Sequence, residues 1–186
     1  QTPTYSMRTL AYHEATPGHH HQIAHSLENE NLTLYRRFGY GTSAFSEGWA
    51  LYAERLALEV GLAENPYDEL GILQSELFRS VRLVVDTGMH YKRWTREEAM
   101  DYMKSITGMS DTEVRVEIER YIVWPGQALS YKVGMIKMLE LREKAKQELG
   151  DQFNIKDFHS AVLDHGNPPL FIVEKMVDKM INDAKS

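Results

Sequence analysis

The stretch SAFSEGWALYAERLALEVGL, residues 43–62, settles the fold class. Phe45, Trp49, Tyr52 and Leu56 recur at spacings of three and four, with Leu58 and Val60 continuing the apolar side. That period aligns side chains along one face of an α-helix. Thr42 or Ser43 stands where an N-cap is needed, and Gly61 where a helix stops. Near the start sits Glu47, followed by Gly48, whose missing side chain leaves room for close packing.

Working outward, the same period runs through nearly the whole chain. A second helix begins at NPYDEL, residues 65–70, with Pro66 in its first turn and Leu70, Leu73, Leu77, Val81 and Val84 at helical spacing. Two capping boxes follow, Thr95 with Glu98 and Ser110 with Glu113. Pro125 interrupts, and the stretch 126–150 reads as a long helix ended by Gly150. Shorter helices are expected within 155–166 and 168–184. No period-2 strand, repeat or low-complexity linker stands out. The chain is therefore expected to be all-α, a single compact multi-helix domain over residues 1–186.

Composition narrows the chemistry. The 186 residues are 42% hydrophobic, enough for a proper core. Net charge is −6, from 21 basic and 27 acidic residues, and no basic stripe offers itself to nucleic acid. Without cysteine, disulfides, thiolate metal sites and a cysteine nucleophile are excluded, so any metal must be held by His, Asp or Glu. No apolar run reaches the length of a membrane span. The opening QTPTYSMRTLAYHE lacks the order of a signal peptide and leads at once into the richest chemical motif. On that ground the chain is expected to be the C-terminal part of a longer protein, with a missing N-terminal region as its partner.

That motif is HEATPGHHHQ, residues 13–22. In zinc hydrolases a His binds the metal while the adjacent Glu takes a proton from the water the metal activates. The usual H-E-x-x-H pattern puts a second His four residues on, on the same helical face. Here position 17 is proline. Pro17 and Gly18 permit a bulge or kink that would bring His19 to the missing place, with His20 the alternative. His20 lies seven residues from His13, about 10.5 Å along an undistorted helix, too far for one ion without such a break. For the third ligand the best candidate is Glu47. Glu54, seven residues further on the same face, is placed to orient a ligand histidine.

HEATPGHHHQ followed by SEGWALYAERL, residues 46–56, resembles the bacterial family known as domain of unknown function 885. The segments 82–103, 120–134 and 166–177 are similar to later parts of that family. Its members resemble gluzincin-type zincin metallopeptidases, and SEGWALYAE is similar to the segment that carries their glutamate ligand. The resemblance implies a zincin-like domain with the metal motif on a kinked helix. It implies His13, His19 and Glu47 as ligands of Zn2+, Glu14 as general base, and a peptide or amide substrate. It favours a periplasmic or secreted location over a cytoplasmic one. Family members are much longer, so only their C-terminal part is matched. Among later residues, Tyr131 could donate to a developing oxyanion, with His90 or His165 as alternatives. Arg82 or Lys132 could bind a substrate carboxylate.

Other classes fit less well. A carboxylate-bridged di-iron bundle needs Glu-x-x-His pairs, and none occurs. A serine hydrolase of the G-x-S-x-G type lacks its elbow. The serious alternative is a non-catalytic helical domain, either a metallopeptidase relic or a piece inactive without its N-terminal region.

Overall fold

The computed structural model describes residues 4–39 and 41–186; residues 1–3, at the start of the QTPTYS opening, and residue 40 lie outside them. The described residues form ten α-helices and no strand. They are α1 (Met7–Glu14), α2 (His19–Glu28), α3 (Leu34–Phe38), α4 (Ser43–Glu59), α5 (Pro66–His90), α6 (Arg96–Thr107), α7 (Asp111–Val123), α8 (Ser130–Leu149), α9 (Ile155–Leu163) and α10 (Leu170–Lys185). Among the described residues, no helix is long and apolar enough to cross a membrane.

Local chemistry sets the boundaries. Asn65 accepts from the backbone N–H groups of Tyr67 and Asp68 ahead of Pro66. Both capping boxes form, Thr95 with Glu98 and Ser110 with Glu113, each satisfying donors that a helix start leaves open. The apolar stripe of α5 divides. Val81 is buried with Ile72 and Val85, whereas Leu70, Leu73 and Leu77 are exposed. Spacing alone places residues on a helix; which face is covered depends on the neighbours.

Two apolar clusters fill the interior. The larger joins Phe45, Trp49 and Tyr52 of α4 to Met135 and Met138 of α8, Phe158 of α9, and Val173 and Val177 of α10. The smaller joins Val81 and Val85 of α5 to Ala99 and Met103 of α6 and to Val114 and Ile118 of α7. At the centre, α4 and α8 approach until their backbones touch. A Cβ on Gly48 would lie 2.5 Å from the Cα of Gly134, and one on Gly134 would lie 1.9 Å from the Ala44 carbonyl oxygen. The Ser43 and Ser130 hydroxyls close the same contact at 2.7 Å.

Beside this crossing, Tyr52 and His159 are hydrogen-bonded at 2.9 Å, and Trp49 meets the His159 ring edge-on at 5.4 Å. Burial, then the charges of Arg142 and His21, lower the His159 imidazole from its ordinary 6.5 to about 4. The folded protein therefore holds this ring neutral where the unfolded chain would protonate it.

Two outcomes are expected. Gly134→Ala forces the helices apart and lowers stability by about 1–3 kcal/mol, the usual cost of overpacking, read by denaturant unfolding. The His159 contribution is complete above pH 6.5 and is lost as pH falls toward 4. A His159→Gln variant should accordingly lose less stability than the parent across that window.

Candidate metal centre

The last turn of α1 carries His13 inward, where it is 3% exposed, and leaves Glu14 exposed. At Ala15 the chain leaves the helix, and α2 begins at His19. The interruption expected at Pro17–Gly18 is thus complete: it separates two helices rather than kinking one. Trp49 of α4 anchors it, its indole N–H donating to the Pro17 carbonyl at 2.8 Å. Gly18 is required by closeness, because a Cβ there would lie 1.9 Å from the His13 carbonyl oxygen.

The break folds His19 back toward His13, and their rings meet edge-on with centroids 4.8 Å apart. Glu47, in the first turns of α4, faces both. Its Oε2 lies 3.2 Å from His19 Nε2 and 3.5 Å from His13 Nε2. One ligand atom from each of the three residues falls within 4.8 Å of the others. With zinc–ligand bonds of about 2.0–2.1 Å, the edges of a tetrahedral site are about 3.4 Å long. The two histidine–glutamate separations match that length, and two imidazoles with one carboxylate are a donor set suited to zinc.

A second layer fixes His13. Its Nδ1 is 2.7 Å from Oε1 of Glu54, and the other Glu54 oxygen accepts from the Thr9 hydroxyl. Thr9 and Glu54 are both buried. With Nδ1–H donated to Glu54, Nε2 is the ring atom that faces Glu47, where it either carries a proton shared with that carboxylate or is free to bind a metal. Burial would raise the Glu47 carboxyl, but the hydrogen bonds with His13 and His19 outweigh it and hold the group well below the usual carboxylate range. Burial would lower His13; Glu47 and Glu54 together reverse that and raise it. A metal ion would compete with this proton, so acid weakens binding.

The remaining sequence candidates fall in different places. His20 is exposed and stands outside the cluster. The Tyr131 ring stacks on His13 at 6.1 Å, and its hydroxyl accepts from Gln127 at 3.4 Å. Arg82 is buried, but donates to the Tyr121 hydroxyl at 2.7 Å and to Glu117 at 2.9 Å. Lys132 is engaged by Glu76 at 2.6 Å. His90 bonds the Tyr121 carbonyl at 2.9 Å, and His165 lines a separate cavity with Asn167 and Pro168. Neither histidine belongs to the His13–His19–Glu47 cluster. The motifs did not single out Thr9, or Arg79 of α5, whose guanidinium lies 5.6 Å from the Tyr131 ring centre and whose charge acts on His13. Thr9 precedes His13 by four residues and so shares its helical face, a signal that was available. Nothing local marks Arg79.

Because Glu54 orients His13 without belonging to the His13–His19–Glu47 cluster, Glu54→Gln should leave the fold intact. Where the cluster takes up zinc, competition with a chromogenic chelator should show the affinity of this variant lower by about 10–100-fold.

No curated protein matches the chain. Among solved structures, one from Colwellia psychrerythraea described as a "putative lipoprotein" is 52% identical, with a TM-score of 0.93 over 97% of this chain and 31% of that one. Another of the same description and unknown function, from Shewanella oneidensis, is 30% identical, with a TM-score of 0.85 over 93% of this chain and 31% of that one. The chain spans about a third of the length of these proteins. Residues 1–177 match the model of the family described as bacterial protein of unknown function, DUF885, and the chain belongs to that family.

Proposed function

We propose that this chain carries the metal site of a zinc-dependent hydrolase of peptide or amide bonds. The observation that carries the reading is the convergence of His13, His19 and Glu47 with His13 oriented by Glu54. Three protein ligands leave a fourth position open, which distinguishes a catalytic zinc site from a structural one. Bound there, zinc would polarise the substrate carbonyl and lower the pKa of a water molecule.

The chain's own residues supply the rest. Glu14, next to His13 and without an ion pair or hydrogen bond among the described residues, takes a proton from the attacking water. As the water oxygen bonds to the carbonyl carbon and the C–N bond breaks, Glu14 passes that proton to the leaving amine. Tyr131, stacked on His13, donates a hydrogen bond to the oxyanion. The lipoprotein names of the relatives support an extracytoplasmic setting. The length of those relatives supports a substrate cleft shared with a further region of the parent protein.

Elemental analysis of the purified chain, beside His13→Ala and Glu47→Ala, is the direct test. About one zinc per chain, lost in both variants, is expected. Glu14→Gln should retain zinc but hydrolyse peptide substrates about 10²–10⁴-fold more slowly in the full-length protein. Absence of zinc after incubation with excess ion at neutral pH would overturn the metal site. Full hydrolysis by the Glu14→Gln variant would overturn the assignment of the base.

A further inference from the structure

A cavity of about 540 Å³ opens on the Glu54 side of the metal cluster, between α1, α5 and the turn from α6 into α7. Thr9, Leu10, Glu54, Phe78, Arg79 and Met109 are among its walls. Its volume falls within the range of small-molecule sites. The cavity shares Thr9 and Glu54 with the support of His13, while none of the three candidate ligands lines it.

Arg79 is the unusual wall. The other cations nearby have counter-charges: Arg82 pairs with Glu117, while Arg55 and Lys132 share Glu76. Arg79 makes no ion pair and no hydrogen bond with any described residue, and its Nε is sealed from solvent without an acceptor. Its guanidinium rests 5.6 Å from the Tyr131 ring centre, with the like-charged Arg82 4.6 Å from the same ring. Glu54, the carboxylate nearest at hand in the cavity, is already taken by His13 and Thr9. Burial pushes the Arg79 pKa down, with the charges of Glu54 and Glu47 opposing it. Leaving the sealed Nε without an acceptor is costly, and a planar carboxylate is the acceptor that fits the guanidinium fork.

We propose that this cavity binds a small monocarboxylate with an apolar body, its carboxylate held by Arg79 and its body by Leu10, Phe78 and Met109. With the carboxylates of Glu54 and Glu113 also on the walls, one arginine suits no more than a single negative charge. A phosphate dianion would need more donors and, carrying twice the charge, would be repelled about twice as strongly by those carboxylates.

Calorimetry on the metal-stripped chain tests this with N-acetyl-L-leucine and its neutral amide. The acid should bind at least tenfold more tightly than the amide. Arg79→Met should abolish that preference without lowering the unfolding midpoint, since it removes a cation that burial disfavours and no ion pair among the described residues holds. Arg79→Lys, which keeps the charge but not the fork, should bind the acid with intermediate affinity and serves if the Met variant does not fold. Equal binding of acid and amide, or an undiminished preference in either variant, would overturn the site. Tighter binding of N-acetyl-Ala-Ala-Leu than of N-acetyl-leucine would identify the ligand as a peptide C-terminus. Equal binding would identify it as a free acid.

Discussion

The backbone contact between α4 and α8 is the constraint on which the rest depends. Gly48 and Gly134 let two helices lie closer than ordinary side chains permit. The apolar residues around that contact are then driven into one cluster, and their burial supplies the main stabilisation of this half of the molecule. The crossing also fixes the angle at which α4 presents its first turns, and Glu47 stands in them. The residue that opens space for packing is the neighbour of the residue that faces the histidines.

Around that fixed helix, α1 and α2 are held by few but directional links. Trp49 grips the carbonyl of Pro17, while Glu54 grips His13 and Thr9. Glu54 is a buried carboxylate, and in isolation it would cost several kcal/mol. Two donors from α1 offset that cost. The pairing is selective as well as stabilising, because α1 can dock on α4 only where both donors meet the carboxylate.

Much of this was legible in the sequence. The helices are long and periodic, and Asn65, Thr95 and Ser110 announce where three of them start, so element order followed from local chemistry. Glu47 and Glu54 could be placed on one face of one helix because seven residues make two turns. His19 could be favoured over His20 only by supposing a break, and the manner of that break was not legible: the sequence shows Pro17 and Gly18, whereas the break is anchored by the indole of Trp49, a contact between distant parts of the chain that spacing does not reveal. Arg79 was invisible for a related reason. Its isolation is a property of what surrounds it in space, while its sequence neighbours Phe78 and Ser80 mark an ordinary helical turn. The exposed Leu70, Leu73 and Leu77 show the converse, since a stripe can be regular and yet face outward.

Carrying Glu47 and Glu54 on one uninterrupted helix has a consequence for how the chain tolerates changes in length. Each residue added to or removed from an α-helix turns everything beyond it by about 100°. A one-residue deletion between positions 47 and 54 would swing one carboxylate away from the histidines while the other stayed in place. The connections at 29–33 and 60–65 carry no such phase relation and can lengthen or shorten with far less effect on the cluster. Length variation among natural sequences of this domain should therefore concentrate in those connections and spare the two turns that join the glutamates.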